Sequence, residues 1–172
     1  MRNQKTAAGV AVLVVALLSY FFFVKPTPIP KGWISETQGE VTFSYPPQLP
    51  TTYITALDWP PKITTLGTPF SCTEGGDSEA IPAGMTRKVV VNGNTYCSTR
   101  QLGAAAGSRY TMYAYVFEKG GKVYAATFST RAPECGNYDE SQKAACEAER
   151  NSFSIDSLFD QIAGTVHSTE AY

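Results

Sequence analysis

The hydrophobic positions follow three different patterns along the chain. Residues 7–24 (AAGVAVLVVALLSYFFFV) form an uncharged apolar run, the middle of the chain alternates apolar and polar positions, and the last part has apolar residues at helical spacing. Eighteen helical residues rise about 27 Å, close to the hydrocarbon thickness of a bilayer. The first pattern therefore predicts a transmembrane helix over residues 7–24, after a cytoplasmic segment over residues 1–6.

The alternating region predicts an antiparallel β-sheet built from hairpins. Asn92-Gly93 supplies the positive φ angles of a type I′ turn between strands over residues 87–91 and 94–99, in a register that pairs Val89 with Tyr96. Gly120-Gly121 joins a second pair of strands, over residues 109–119 and 122–131. Because side chains alternate along a strand, this register places six residues on one face: Tyr113, Tyr115, Phe117, Tyr124, Ala126 and Phe128. A further strand is predicted over residues 41–45, and a weaker one over residues 53–59.

The third pattern predicts two helices. Asp139 with Gln142 three residues later fits a capping box that opens a helix ending near Arg150. The second helix has one apolar stripe, formed by Ile155, Leu158, Phe159, Ile162 and Val166. We therefore expect an α+β fold in which the final helix packs on the aromatic face of the sheet.

The remaining organisation follows from proline and cysteine. Residues 25–32 (KPTPIPKG) have three prolines and predict a short, stiff linker. The domain then occupies residues 33–172. All four cysteines lie in it, and an even count favours disulfides in an oxidising compartment. We therefore expect a single-pass protein of the cytoplasmic membrane, with its N-terminus inside and its domain outside.

The four cysteines allow three pairings, and we prefer Cys72–Cys97 with Cys135–Cys146. On the chain-entropy account, each bond stabilises by roughly 3 kcal/mol. Zinc and redox sites both favour C-x-x-C spacing, whereas these cysteines are separated by 25, 38 and 11 residues. Structural disulfides are therefore the better interpretation.

The charge and the motifs indicate no catalytic or cofactor chemistry. Residues 33–172 carry ten Lys/Arg against fifteen Asp/Glu, a net charge of −5, which argues against nucleic-acid binding. No G-x-S-x-G elbow or phosphate loop occurs, and His167 is better explained as a helix-terminal residue than as a base. Glu74, Asp77 and Glu79 resemble a solvated acidic loop more than a calcium site. We predict no catalytic, cofactor-binding or metal-binding residue. The aromatic sheet face could line a ligand groove, but it is better interpreted as core, because the final helix must bury its apolar stripe. Any site is then expected in three loops: residues 46–52, 60–69 and 73–84.

Two resemblances complete the sequence evidence. The segment GEVTFSYP, followed by prolines, resembles the opening strand of domains similar to PsbP, the extrinsic subunit of photosystem II. That resemblance implies an α/β/α sandwich. PFSCTEGG and CGNYDESQKAACEAERNSFSID resemble an uncharacterised family of membrane-anchored proteins of candidate-phyla bacteria. This second resemblance implies a cell-surface location. Neither resemblance assigns a functional residue to this chain.

Three functions are therefore considered. The first is a membrane-anchored, extracytoplasmic binding or scaffold domain that is not an enzyme. The second is a cell-envelope hydrolase, which needs two carboxylates about 5–9.5 Å apart in one cleft. The third, a pilin-like subunit, ranks last because residues 7–24 contain no acidic residue.

Overall fold

A computed structural model describes residues 28–76 and 84–169 of the chain. Strands account for 47% of the structure and form two antiparallel sheets. The smaller sheet has the strand order β1-β2-β9, with β1 at Ile34–Gln38, β2 at Val41–Tyr45 and β9 at His167–Ser168. The predicted strand over residues 41–45 is thus confirmed, whereas its two neighbours were not foreseen.

The larger sheet has six strands in the order β3-β8-β7-β6-β5, with β4 also paired to β8. The strands are β3 (Thr55–Ala56), β4 (Lys62–Leu66), β5 (Met85–Val91), β6 (Asn94–Ala105), β7 (Ser108–Lys119) and β8 (Lys122–Pro133). Each of the three central strands is 12 residues long. At about 3.3 Å per residue, each therefore extends roughly 40 Å.

Both predicted hairpins are confirmed in position and register. Asn92 and Gly93 both have positive φ, as a type I′ turn requires, and Val89 pairs with Tyr96. Gly120 and Gly121 also have positive φ angles. Across that turn, the structure pairs Phe117 with Tyr124, Tyr115 with Ala126 and Tyr113 with Phe128. The six predicted residues therefore share one face, which we call the aromatic face.

Two helices follow the sheet: α1 at Glu140–Ser152 and α2 at Ile155–Thr165. The side chain of Asp139 accepts a hydrogen bond from the backbone N–H of Gln142, so the predicted N-cap of α1 is confirmed. Helix α2 buries its stripe against the aromatic face. Phe159 is fully buried there and stacks on Tyr115, with 4.0 Å between the ring centroids.

One hydrophobic core joins the two sheets and α2. Val41, Phe43 and Tyr45 of β2 belong to the same buried cluster as the aromatic face. The side-chain amide of Gln38 also bridges the sheets, because its Nε2 donates to Pro61 O and its Oε1 accepts from Ile63 N. The described residues therefore form a single packed unit.

The predicted fold class is wrong for the part of the chain that the structure describes. The domain is mainly β, with two short helices near its C-terminal end, rather than a PsbP-like α/β/α sandwich. Met112 and Val90, on the sheet face opposite α2, are 53% and 63% exposed, so no helical layer covers them. The strand content was underestimated in part because the strand after Asn92-Gly93 was predicted to end at residue 99, six residues before the end of β6.

The predicted transmembrane helix and its membrane keyword are not upheld either. Among residues 28–76 and 84–169, no helix is long and apolar enough to span a bilayer. The segment over residues 7–24, the cytoplasmic segment over residues 1–6 and the start of the linker lie outside the described residues.

Candidate functional site

The aromatic face is longer than the helix that covers it. Helix α2 has 11 residues, which rise about 17 Å at 1.5 Å per residue. The strands beneath extend roughly 40 Å. One part of the face therefore becomes core under α2, and another part remains open beside the N-terminus of this helix.

That open part forms a cleft of about 520 Å³, which we call the arginine cleft. Its floor is the continuation of the aromatic face, where Leu102, Thr111 and Thr130 lie side by side on β6, β7 and β8. Its walls come from the α1–α2 junction and from the segment before β3, through Phe153, Ile155 and Ile54. The size lies within the range of ligand-binding cavities in proteins.

Three arginines from three different elements line this cleft. They are Arg100 of β6, Arg109 of β7 and Arg150 of α1. Residues 33–172 contain five arginines in all and have a net negative charge. The convergence of three of them on one cavity therefore makes it a local positive site in an acidic domain.

Arg100 is paired within the protein. Its Nη2 lies 2.5 Å from Oδ2 of Asp156, and its guanidinium also lies over the ring of Tyr113, 5.7 Å from the centroid. Burial alone would lower the pKa of Arg100, but the hydrogen bond and the charge of Asp156 outweigh burial and raise that pKa. The second carboxylate oxygen, Oδ1, accepts a hydrogen bond from the hydroxyl of Tyr115. Burial, together with the charge of Asp156, raises the pKa of Tyr115, so this phenol stays a donor.

Arg109 and Arg150 share one carboxylate, that of Glu134. Nε of Arg109 donates to Oε1 at 2.7 Å, and Nη1 of Arg150 lies 3.8 Å from Oε2. The hydrogen bond from Arg109 is the main reason that the pKa of Glu134 is lowered. At neutral pH this cluster therefore contains two positive charges and one negative charge.

The α1 wall of the cleft is fixed by its neighbours on both sides. The carboxylate of Glu149 accepts hydrogen bonds from the backbone N–H groups of Thr52, Tyr53 and Ile54, at 2.6, 2.8 and 3.0 Å. Three convergent N–H groups form an anion-binding nest, and here a side chain of the protein occupies it. This contact holds Ile54 and α1 together, so it sets the width of the cleft.

A disulfide fixes the other side of the same wall. Cys146 of α1 is bonded to Cys135, with 5.7 Å between the Cα atoms. Nη1 of Arg150 donates to Sγ of Cys135 at 3.6 Å. The other bond joins Cys72 to Cys97, whose side chain lies on the opposite face of the sheet. All four cysteines are therefore paired, in the arrangement preferred from the sequence.

The residues considered as a possible catalytic base or as possible calcium ligands do not form a site among the described residues. His167 lies in β9, and its Nδ1 is 3.0 Å from Thr165 O. Glu74 accepts a hydrogen bond from the backbone N–H of Lys88, while Asp77 and Glu79 lie outside the described residues. Within the described ranges, no group of three or more His, Cys, Asp or Glu residues could hold a metal ion.

The arginines were not predicted as site residues, and the three loops predicted for a site do not line the arginine cleft. Arg100 pairs directly with Tyr113, and Arg109 lies four residues before Tyr113 on the same face. That relation follows from the Ala106-Gly107 turn, where both residues have positive φ. A hairpin assigned to this turn would have brought Arg100 and Arg109 to one face, but Arg150 becomes a neighbour only through the tertiary fold.

Comparisons with known proteins do not identify the chain. No protein-family model matches it, and no curated protein matches it. A crystal structure of a protein from Bacteroides thetaiotaomicron VPI-5482 is similar at 12% sequence identity and a TM-score of 0.34. The match covers 86% of this chain and 48% of that one, so this chain spans about half the length of that protein. A likeness of this size carries no argument about function, and the two resemblances noted from the sequence stay predictions.

Proposed function

We propose that this chain is a non-catalytic binding domain that works outside the cytoplasm and takes its ligand in the arginine cleft. The observation that carries the proposal is a cavity of about 520 Å³ that combines apolar walls with three arginines. Binding sites for small molecules likewise combine apolar side chains with fixed polar groups, although this cavity has a larger polar share than most.

The extracytoplasmic part of the proposal is supported by the cysteines. Cys97, Cys135 and Cys146 are buried, and all four cysteines are joined in pairs. Structural disulfides of this kind persist in oxidising compartments and are rare in the cytosol.

The hydrolase hypothesis has less support in the same cavity. Asp156 is the carboxylate that lines it, and both of its oxygens are held by donors of the protein, Arg100 and Tyr115. The next acidic residue of α2, Asp160, is buried, and its carboxylate accepts hydrogen bonds from the side chains of Asn92 and Asn94. The third carboxylate nearby, that of Glu134, accepts from Arg109. Because donors of the protein hold all three carboxylates, the cavity favours binding over hydrolysis.

The test is a ligand-observed NMR screen on the purified full-length chain, with a library of neutral, cationic and anionic fragments. Ala132→Trp places a large ring on the cleft-lining face of β8. Ala125→Trp is the matched control, because Ala125 is also half-buried but lies on the other face of the same strand. Leu102→Trp on β6 serves as a second blocking variant, and only variants that unfold cooperatively are compared.

We expect fragments that bind the wild type and Ala125→Trp but not the blocking variants. The proposal is refuted if no fragment binds. It is equally refuted if every fragment that binds the wild type also binds Ala132→Trp and Leu102→Trp.

A further inference from the structure

We propose that the ligand of the arginine cleft presents a carboxylate or phosphate group, which binds to Arg109 and Arg150. This inference rests on the proposed function and adds the chemical class of the ligand. It depends on which charges in the cleft are already satisfied and which are not.

Arg100 is the arginine that is least available. It forms a close ion pair with Asp156 and covers Tyr113, so its charge is compensated and its orientation is fixed. Its role is to form one side of the cleft, together with the ring below it.

Among the described residues, Glu134 is the one carboxylate paired with Arg109 and Arg150, and Arg150 also donates to Sγ of Cys135. The side chain of Arg109 is 60% exposed, and its hydrogen bond to Glu134 uses Nε, one of the five N–H donors that a guanidinium carries. The Arg150 contact with Glu134 is long, at 3.8 Å. One net positive charge and two guanidinium groups therefore lie at a cavity whose floor is formed by Leu102, Thr111 and Thr130.

A planar guanidinium fork matches carboxylate and phosphate oxygens in a two-point contact, and this geometry explains the preference for Arg at such sites. The walls of the cleft favour this contact because they hold Arg150 in a fixed position. Arg150 follows Glu149, which is anchored in the nest of N–H groups, and lies one helical turn after the disulfide-bonded Cys146. A preorganised site loses less entropy when it binds its ligand.

The rest of the ligand is expected to be apolar and of modest size. Leu102, Phe153, Ile155 and Ile54 line the cavity around the charged cluster. An aromatic ring that carries one anionic group fits this distribution. Benzoate, phenyl phosphate, benzamide and benzamidine are suitable probes because they share a ring and differ in charge.

The experiment is isothermal titration calorimetry of the full-length chain with these four probes, at low and at moderate salt. We expect benzoate or phenyl phosphate to bind at least tenfold more tightly than neutral benzamide, and benzamidine to bind most weakly. The stronger of the two anions shows whether the natural group is a carboxylate or a phosphate. Added salt should weaken only the anions, because it screens exposed charges.

Three substitutions separate charge recognition from damage to the fold. Arg109→Gln and Arg150→Gln should each weaken the anionic probe about five- to tenfold and leave benzamide unchanged. Glu134→Gln should strengthen the anionic probe several-fold, because it removes the competing carboxylate. Arg131→Gln is the matched control: Arg131 is an exposed arginine on the opposite face of β8, where it donates to Ser108, and we expect no effect.

Three results would overturn the inference while leaving the proposed function intact. The first is benzamide or benzamidine binding as tightly as benzoate and phenyl phosphate, with the binding abolished by Ala132→Trp. The second is a fragment screen whose cleft ligands are all neutral or cationic. Unchanged anion binding in both Arg109→Gln and Arg150→Gln would also overturn it.

Discussion

Asp160 joins α2 to the β5–β6 hairpin, and its loss should destabilise the domain through one buried phenol. Its carboxylate accepts hydrogen bonds from Asn92 at 2.9 Å, Asn94 at 2.8 Å and the hydroxyl of Tyr96 at 2.5 Å. Asp160 is 6% exposed and Tyr96 is 3% exposed, whereas the two asparagines are exposed. The asparagine amides can therefore turn to water, but the phenol cannot.

The expected loss of stability follows from this difference in burial between Tyr96 and the two asparagines. Asp160→Ala leaves the Tyr96 hydroxyl buried without its acceptor, and an unsatisfied buried group costs about 1–3 kcal/mol. We expect a total loss of about 2–3 kcal/mol, since the exposed amides add little. Tyr96→Phe should cost about 1 kcal/mol, because Asp160 keeps two donors. In the double variant no hydroxyl is orphaned, so the two losses should overlap by about 1–2 kcal/mol.

The assay is urea unfolding of the full-length chain at pH 7 for the wild type, both single variants and the double variant, with unchanged m-values. The control cycle uses Asp58→Ala and Ser129→Ala, since this pair is also a hydroxyl bound to a carboxylate but lies at the surface. Its coupling should stay below about 0.5 kcal/mol. The reasoning fails if the Tyr96 and Asp160 losses add to within that same margin.

Three further predictions concern α1. Glu149→Gln should lower the free energy of unfolding by about 1–3 kcal/mol in urea titrations, because a neutral amide replaces the charged acceptor of three N–H groups; equal stability would contradict the nest. Replacing Cys135 and Cys146 together by Ser should cost roughly 3 kcal/mol by the same assay. The N–H of Gln142 lowers the pKa of Asp139, so the N-cap stabilises fully above about pH 4 and loses its effect as the pH falls through the lowered pKa. Wild type and Asp139→Ala should therefore converge in thermal melts as the pH falls through this lowered pKa, whereas a constant difference across pH would contradict this linkage.

The sequence predicted elements that are decided locally. Asn92-Gly93 and Gly120-Gly121 set both the position and the register of their hairpins, because few residues tolerate positive φ. The apolar spacing in residues 155–166 likewise predicted α2, since a helix buries one stripe.

Sequence patterns did not predict the elements that form only through pairing with distant parts of the chain. Strand β1 (ISETQ) has little apolar alternation and forms because it pairs with β2 and is linked to β4 through Gln38. The second half of β6 was missed because it ends in Gly103, Ala104 and Ala105, which are poor strand formers that pair with β7. The arginine cleft was missed because Arg150 and the two strand arginines meet only once α1 packs beside the sheet.

The bond between Cys135 and Cys146 makes the geometry of the arginine cleft depend on the oxidation state of the chain. Newly synthesised chains carry these thiols reduced. Helix α1, which includes Arg150, is therefore not cross-linked to the end of β8 until the disulfide forms. If the arginine cleft binds an anion as proposed, the oxidised chain should therefore bind it more tightly than the reduced chain.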